Sequence, residues 1–552
     1  MKPADVTVLI PAAGRVPEGL LALSNIACPA MIPIGGRPVI HWTLSYLRAL
    51  GFRKFAIAVA RRGMFVEEFV DLAFGEDCEV RFMTPSRDGG VGRTILELAE
   101  PVDTQGVLVV LGDTHFQFAD PTVVNDNRPF VLTHPVADSY RWCIAESQAD
   151  GTLLRLRDKE QGLVGELDAL IGVYHFPDTG ELRRAARETV ELAEAAGKRA
   201  ELAGILQRVH ASNPIRTLRA GSWLDCGNAD MQASAHQALL QARAFNELKI
   251  DSVLGTITKR SRDSEKFINE VNYLRLLPPD LGVLFPRMIG YSIDWTDPWV
   301  EMEYYGYPTL SEVFLFENVD PGVWERVFTH LKNIVQQGFG RHARPLPSGA
   351  VHEMYVGKTR RRLAAVSEPP ELARLLRHEG ELVVNGKAMP SLALLWPKIE
   401  TEVERLERGV QGAVVHGDLC LSNILYDLRS RICKLIDPRG SFGMVGIYGD
   451  PRYDIAKLWH SVHGLYDFIT NDLFRVTVDG EKIELSIRAT AAHREIEDRF
   501  VQVFFAAGGY DRREIQIIAA LLFASMPALH YDKPARQLAM YARSLQLFDE
   551  CL

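Results

Sequence analysis

Residues 414–425 read Val414-Val415-His416-Gly417-Asp418-Leu419-Cys420-Leu421-Ser422-Asn423-Ile424-Leu425, and Lys434-Leu435-Ile436-Asp437-Pro438-Arg439-Gly440 follows nine residues later. Apolar, strand-like ends enclose a polar loop. An ordered His, Asp, Asn and Asp set in that setting is more than a turn between strands. One loop supplies Asp418 and Asn423, and Asp437 arrives after a short hairpin. Phosphoryl transfer calls for a carboxylate that positions the attacking hydroxyl, and for oxygen ligands that hold Mg²⁺ on nucleotide phosphates. The spacing lets Asn423 and Asp437 share a metal while Asp418 faces an acceptor.

Upstream of this loop, residues 252–259 (SVLGTITK) read as a strand, 263–277 as a helix and 298–305 (PWVEMEYY) as another strand. From Pro321 onward helices dominate, apart from a strand pair at 424–427 and 431–437. A small β-rich lobe followed by a larger helical lobe is the expected plan for residues 246–552. With 552 residues the chain exceeds a single core, which stops growing near roughly 250–300 residues. A polar helical stretch at 231–250 closes the preceding part, and the boundary is placed at 245/246.

The first 245 residues alternate short apolar runs with amphipathic stretches. Val6–Ile10, 54–60 (KFAIAVA) and 106–111 (GVLVVL) read as strands. Between the first two, apolar residues at 40, 44, 47 and 50 form a helical stripe that Gly51 ends. Strand, helix, strand implies right-handed crossovers and a doubly wound, mostly parallel sheet covered on both faces. Ligands in such sheets sit at the carboxyl ends of strands, which directs attention to the loops after Ile10 and Leu111.

A net charge of −9 argues against a nucleic-acid or anionic-membrane partner, and no apolar run is long enough to span a bilayer. The chain start runs straight into a strand-like segment, with no leader-like apolar run. Seven dispersed cysteines without CxxC spacing predict reduced thiols and a cytoplasmic location. The sequence sets no oligomeric state, and an oligomer is compatible with it.

The 414–440 segment resembles the aminoglycoside phosphotransferase and choline kinase family, over roughly residues 250–470. The resemblance implies a two-lobe, protein-kinase-like α+β fold. It makes Asp418 the catalytic base, Asn423 and Asp437 the Mg²⁺ ligands, and His416 a brace for the loop. Asp454 matches a family aspartate that buttresses this loop. Lys259 would reach the ATP phosphates, with Lys266 as its competitor, and Glu270 would pair with it. The segment 301–304, Glu303 included, would be the hinge that reads adenine. Gly255 is present, but the protein-kinase GxGxxG is not.

Residues 8–40 resemble the opening of sugar-phosphate nucleotidyltransferases, and later landmarks follow in family order to about residue 240. They are Leu111-Gly112-Asp113, Asp158-Lys159-Glu160, Ile171-Gly172-Val173-Tyr174-His175-Phe176 and Trp223-Leu224-Asp225-Cys226-Gly227. This resemblance implies a Rossmann-like sheet of the GT-A type. Asp113 and Asp225 would be its metal ligands and Lys159 the cation at the acceptor phosphate. Ala13, Gly14 and Arg15 would wrap the nucleoside triphosphate. Ala30 stands where the family has a lysine, so Arg15 or Arg37 substitutes, or this domain turns over poorly.

Together the resemblances imply a bifunctional enzyme. It would phosphorylate a small hydroxyl compound, a sugar above all, with ATP and Mg²⁺. It would then join a nucleotidyl group from a second nucleoside triphosphate to the phosphate, giving a precursor for surface polysaccharide. The alternatives are a kinase with a nucleotide- or sugar-binding N-terminal domain that is not catalytic, a choline-type kinase/cytidylyltransferase, and a scaffold without activity. The basic run 358–362 (KTRRR) is expected to form a solvated helix face, the other reading being a grip on a phosphorylated substrate.

Overall fold

The computed structural model describes residues 2–14, 28–60, 64–226, 246–317 and 319–552. Its contacts divide the chain into two compact units, Met1–Leu239 and Leu240–Leu552. Arg15 and Gly227 lie outside the described residues, as does most of the stretch read as a closing helix at 231–250. The end of that stretch is a strand, Asn246–Asp251.

The first unit is mixed α/β around a ten-stranded sheet rich in parallel pairs. Strands Glu79–Met83, Lys54–Ala58, Val6–Pro11 and Gly106–Val110 lie side by side and parallel. The strand Val6–Pro11 is buried nearly throughout, as a strand covered on both faces must be. Leu9, Val107 and Val109 meet helices Val91–Ala99, Thr179–Ala195 and Leu202–Ser212 through Ile95, Leu98, Leu182 and Ile205. Val8, Ile10 and Leu108, at the alternate positions, are buried too and so serve the other face.

The expectation of a mostly parallel sheet holds only for this half. The long strand Val164–Phe176 runs antiparallel to both Gly106–Val110 and Phe130–Asp138. Arg216–Asp225 is parallel to Phe130–Asp138, and Thr114–Phe118 is antiparallel to Arg216–Asp225. Thr114–Phe118 follows Gly106–Val110 after three residues, too short a connection for a crossover helix, and pairs with Arg216–Asp225 and not with Gly106–Val110.

The second unit opens with a four-stranded antiparallel sheet in the order Asn246–Asp251, Thr256–Ser261, Trp299–Glu303, Met288–Ser292. Residues 252–255, expected in a strand, instead form the turn of a hairpin. Asp251 accepts hydrogen bonds from the backbone of Val253 and Leu254, and Gly255 takes φ +65°. Helix Ser264–Leu276, capped by Asp263, packs Phe267 and Val271 on Val300 and Met302.

Helices dominate the remainder. Arg512–Ser525 is buried from Ile515 to Ser525 and packs on Pro451–Val462. A further four-stranded sheet, Lys387–Pro390, Glu381–Val384, Lys482–Ile487 and Phe474–Asp479, corrects the expectation of a single strand pair beyond Pro321. Its first hairpin turns at Asn385-Gly386, both at positive φ, a pair suited to a two-residue turn.

Ile95 is fully buried between helix and sheet. Ile95→Ala is expected to lower stability by about 2–5 kcal/mol in a urea titration, as a lost buried side chain with partial collapse does.

Candidate active sites

In the second unit, the loop 415–423 follows strand Gln411–Val414 and runs into the hairpin Ile424–Asp427/Ile432–Leu435. The hairpin returns the chain so that the Ile436 N–H donates to the Asn423 carbonyl at 3.0 Å, setting Asp437 beside the loop. His416 is fully buried and stacks on Phe285. Its Nδ1 accepts from the Asp418 N–H at 3.2 Å, so its Nε2–H donates to the Ile436 carbonyl at 3.0 Å. Burial lowers its pKa to about 4, which keeps the ring neutral and this bridge intact near pH 7. Asp454, on helix Pro451–Val462, accepts the backbone N–H groups of His416 (2.7 Å) and Gly417 (2.9 Å).

Asp418 receives Lys457 Nζ at 2.7 Å on one carboxylate oxygen and Asn423 Nδ2 at 3.3 Å on the other. Burial acts to raise its pKa, but the Lys457 ammonium and the Arg439 guanidinium hold it well below the usual carboxylate range. Such a carboxylate stays ionised and orients a hydroxyl better than it stores a proton. Asp437 adopts φ +57°, a left-handed conformation uncommon outside glycine. Lys259 Nζ bonds its Oδ1 at 2.8 Å and both oxygens of Glu270 at 2.7 and 3.0 Å.

Lys259 therefore takes the central position, and the competitor Lys266 lines the neighbouring cleft. Burial opposes the charge on Lys259, but Asp437 and Glu270 keep its pKa above the ordinary lysine value. Burial pushes Glu270 up to about 7 against the pull of Lys259. Partial desolvation acts to raise the pKa of Asp437, whose side chain is exposed, but Lys259 holds it below its ordinary value.

The 301–304 segment is arranged differently from the hinge expectation. The N–H groups of Glu303 and Tyr304 already donate to the carbonyls of Arg287 and Gly255. The Glu303 carboxylate accepts from the Arg287 N–H and the Tyr305 hydroxyl. These N–H groups and this carboxylate are thus already engaged within the protein.

The run 358–362 also departs from expectation. Arg360 pairs with Glu400, and Arg361, largely exposed, pairs with Glu353 at the edge of the Asp418 cleft. Lys358 and Arg362, four residues apart and hence on one helix face, turn inward and line the cleft that contains Asp418. This cleft has a volume of about 710 Å³. Arg439 and Lys457 also line it. Lys358 and Arg362 belong to the run whose second reading was a grip on a phosphorylated substrate, whereas Lys457 and Arg439 were not singled out from sequence, although Arg439 sits in the quoted Asp437-Pro438-Arg439-Gly440.

In the first unit, Asp113 follows strand Gly106–Val110, and Asp225 ends Arg216–Asp225, paired with Thr114. The Cys226 N–H donates to the Asp113 carbonyl at 2.9 Å. Burial, then the neighbouring Asp225 charge, raises the Asp113 pKa to about 6. The Trp223 indole donates to Thr114 Oγ1 at 2.9 Å, which itself donates to the Ile171 carbonyl. Lys159, at φ +52°, donates its N–H to the Trp142 carbonyl, and the Trp142 ring meets Trp223 at 5.0 Å. Trp142, Trp223 and His134 line a cleft of about 620 Å³, and Lys159 lies outside that lining.

Ala13 and Gly14 follow the first strand. Ala30 is fully buried beside Gly112, where an added Cβ would stand 2.9 Å from Ala12 and 3.4 Å from Ala30. Residue 30 thus adjoins the Asp113 turn with an uncharged methyl. Arg37 bonds His41 at 3.1 Å.

The oxygen-rich donor sets suit Mg²⁺. Asn423 Oδ1 and Asp437 Oδ2 have no hydrogen-bond donor among the described residues, which leaves two hard oxygens at one site. Among the described residues there is no cluster of three or more His, Cys, Asp or Glu arranged to hold an ion by themselves. That is compatible with Mg²⁺, which is commonly bound through one or two carboxylates plus substrate phosphates. All seven cysteines are free thiols, and no helix among the described residues is long and apolar enough to cross a membrane.

No protein-family model and no curated protein matches the chain. Solved structures with local likeness include a UDP-glucose pyrophosphorylase complexed with UDP-glucose, at 18% identity and TM-score 0.38 over 43% of this chain and 99% of that one. HddC from Yersinia pseudotuberculosis, complexed with GMP-PN, gives 15% and 0.35 over 42% and 99%. A putative glucose-1-phosphate thymidylyltransferase from Bacillus anthracis, in complex with a sucrose, gives 19% and 0.38 over 44% and 97%.

Removing Lys259 alone would leave Glu270 and Asp437 without their cation. Lys259→Met is expected to destabilise the protein by about 3–5 kcal/mol, and Lys259→Met/Glu270→Leu by clearly less. Urea titrations of wild type, the two single variants and the double variant close this cycle.

Proposed function

We propose that the second unit transfers the γ-phosphoryl group of ATP to a hydroxyl of a small molecule. The observation that carries this reading is a pair of hydrogen-bonded groups, Lys259 with Glu270 and Asp437 and Asn423 with Asp418, joined by the Ile436 N–H bond to the Asn423 carbonyl and set beside an open cleft. Phosphoryl transfer asks little covalent chemistry of a protein; positioning and charge do most of it. Asp418 would accept a hydrogen bond from the acceptor hydroxyl and align it. Lys457 holds that carboxylate in place. Lys259 would turn from Asp437 toward the nucleotide phosphates while keeping Glu270. Asn423 and Asp437 would hold Mg²⁺, which supplies neutralisation of phosphate charge when bound.

For the first unit we propose nucleotidyl transfer from a nucleoside triphosphate to a sugar phosphate, with release of pyrophosphate. Its support is the approach of Asp113 and Asp225, whose mutual repulsion a divalent ion would relieve. The aromatic cleft at Trp142 and Trp223 adds a surface suited to a sugar ring. The product would be a nucleotide-activated precursor of the kind used for surface polysaccharide. A second reading, a unit that binds nucleotide or sugar without turnover, is favoured by Ala30 beside the Asp113 turn.

ADP release should be measured with Mg²⁺ and ATP against sugars, sugar phosphates, polyols and amino alcohols. Asp418→Asn is expected to cut the rate by about 10²–10⁴-fold without changing the fold. An unchanged rate would remove Asp418 from the proposed role. Pyrophosphate release from nucleoside triphosphate and sugar phosphate is expected to fall by about 10²–10³-fold in Asp225→Asn. No pyrophosphate from wild type with any of the four common triphosphates would favour the binding reading.

A further inference from the structure

Lys358, Arg362 and Arg439 converge on the cleft beside Asp418 without a carboxylate of their own among the described residues. Lys358 Nζ and Arg439 Nη1 approach the same Tyr453 hydroxyl, at 3.5 and 2.8 Å. Arg362 reaches Ser525 Oγ at 3.4 Å. Gly417, at φ +77°, makes room for this arrangement: an added Cβ there would stand 2.9 Å from Arg439 Cβ. Burial, and then the charges of Arg439, Arg362 and Lys457, push the Lys358 pKa well below the ordinary lysine value.

The cleft also contains the carboxylates of Asp263, Glu265, Glu353 and Asp418, of which Glu265 is exposed and the other three are engaged. Glu353 pairs with Arg361, Asp418 with Lys457, and Asp263 caps the following helix through the Lys266 N–H. Like charges gathered at partial burial oppose folding unless an anion joins them. A phosphate monoester, with several acceptor oxygens and close to two charges, is the group that best matches two guanidinium forks and an ammonium.

We infer that the acceptor phosphorylated at Asp418 already carries a phosphate, which Lys358, Arg362 and Arg439 hold while a free hydroxyl of the same molecule meets Asp418. This rests on the kinase reading above and names its substrate class: a phosphorylated sugar or polyol, in place of a neutral sugar or a cationic amino alcohol. In the step, the acceptor oxygen forms a bond to the γ-phosphorus of ATP and the bond from that phosphorus to the β–γ bridging oxygen breaks. ADP leaves with the electron pair, and the hydroxyl proton passes by Asp418 to solvent. The product carries two phosphates.

The test uses the full chain with Mg²⁺ and ATP, and compares sugar monophosphates with their parent sugars, with sugar acids and with amino alcohols. The expected kcat/KM for a sugar monophosphate exceeds that of its parent by about 100-fold, as two or more charge-assisted hydrogen bonds provide. Arg362→Met is expected to raise the acceptor KM about tenfold or more while the ATP KM stays within about twofold. Inorganic phosphate is expected to raise the melting temperature of wild type and to do so less in Arg362→Met. That readout needs no turnover and also reports whether the variant folds.

Parent sugars or amino alcohols used as well as the phosphates would overturn the inference and leave the kinase reading standing. So would preference for sugar acids over phosphates, or a loss confined to the ATP KM. No ADP from any acceptor, with phosphate stabilisation seen in wild type and reduced in Arg362→Met, would retain the anion site and sink the kinase reading.

Discussion

A single buried ammonium organises the second unit. Lys259 leaves the strand Thr256–Ser261 and meets Glu270 from helix Ser264–Leu276 and Asp437 from the turn after the hairpin. A strand, the helix that follows it and a turn 178 residues beyond Lys259 are thereby held within hydrogen-bond distance of one nitrogen. A charge that deep is tolerable only with partners whose geometry is good, and here each partner belongs to a different element. The left-handed backbone at Asp437 is sustained by the same contact and by the Ile436–Asn423 hydrogen bond next to it. The small sheet, its helix and the polar loop therefore share one electrostatic centre.

A second centre lies at Asp418, and its surroundings have the opposite balance. Around Lys259 two carboxylates share one cation, whereas around Asp418 several cations share one carboxylate. The asymmetry matters for the proposed chemistry. A carboxylate flanked by Lys457 and Arg439 stays ionised, which suits the alignment of a hydroxyl. The excess positive charge nearby sets what kind of molecule rests comfortably in the cleft. His416 and Asp454 do not enter the cleft chemistry; they fix the loop backbone from beneath, through four hydrogen bonds to buried groups.

Much of this was legible in the residue order. The His416–Asn423 loop and Asp437 stand at fixed spacing, so their proximity follows from one hairpin. Lys259 and Glu270 follow from a strand and an adjoining helix, although only packing decides between Lys259 and Lys266. The orientation of 358–362 was not legible, because five consecutive polar residues on a helix carry no apolar stripe to say which side faces in. Lys358 and Arg362 share a face by their spacing of four, and contacts with Tyr453 and Ser525 choose that face as the inner one. The extra sheet near residues 381–390 and 474–487 did leave a signal, in Asn385-Gly386 and in the alternation of Phe474–Asp479, and a helical expectation overrode it. The antiparallel half of the first sheet was hidden by strand runs whose direction their composition does not record.

In the proposed chemistry, Asp437 and its neighbours bind a metal-complexed nucleotide. Isothermal titration of the full chain with ATP, with and without Mg²⁺, tests it most directly when wild type is compared with Asp437→Asn and Asp225→Asn. Wild type is expected to show a Mg²⁺-dependent binding event that Asp437→Asn abolishes and Asp225→Asn leaves in place. ATP binding indifferent to Asp437→Asn, or no binding by wild type with Mg²⁺ present, would contradict it.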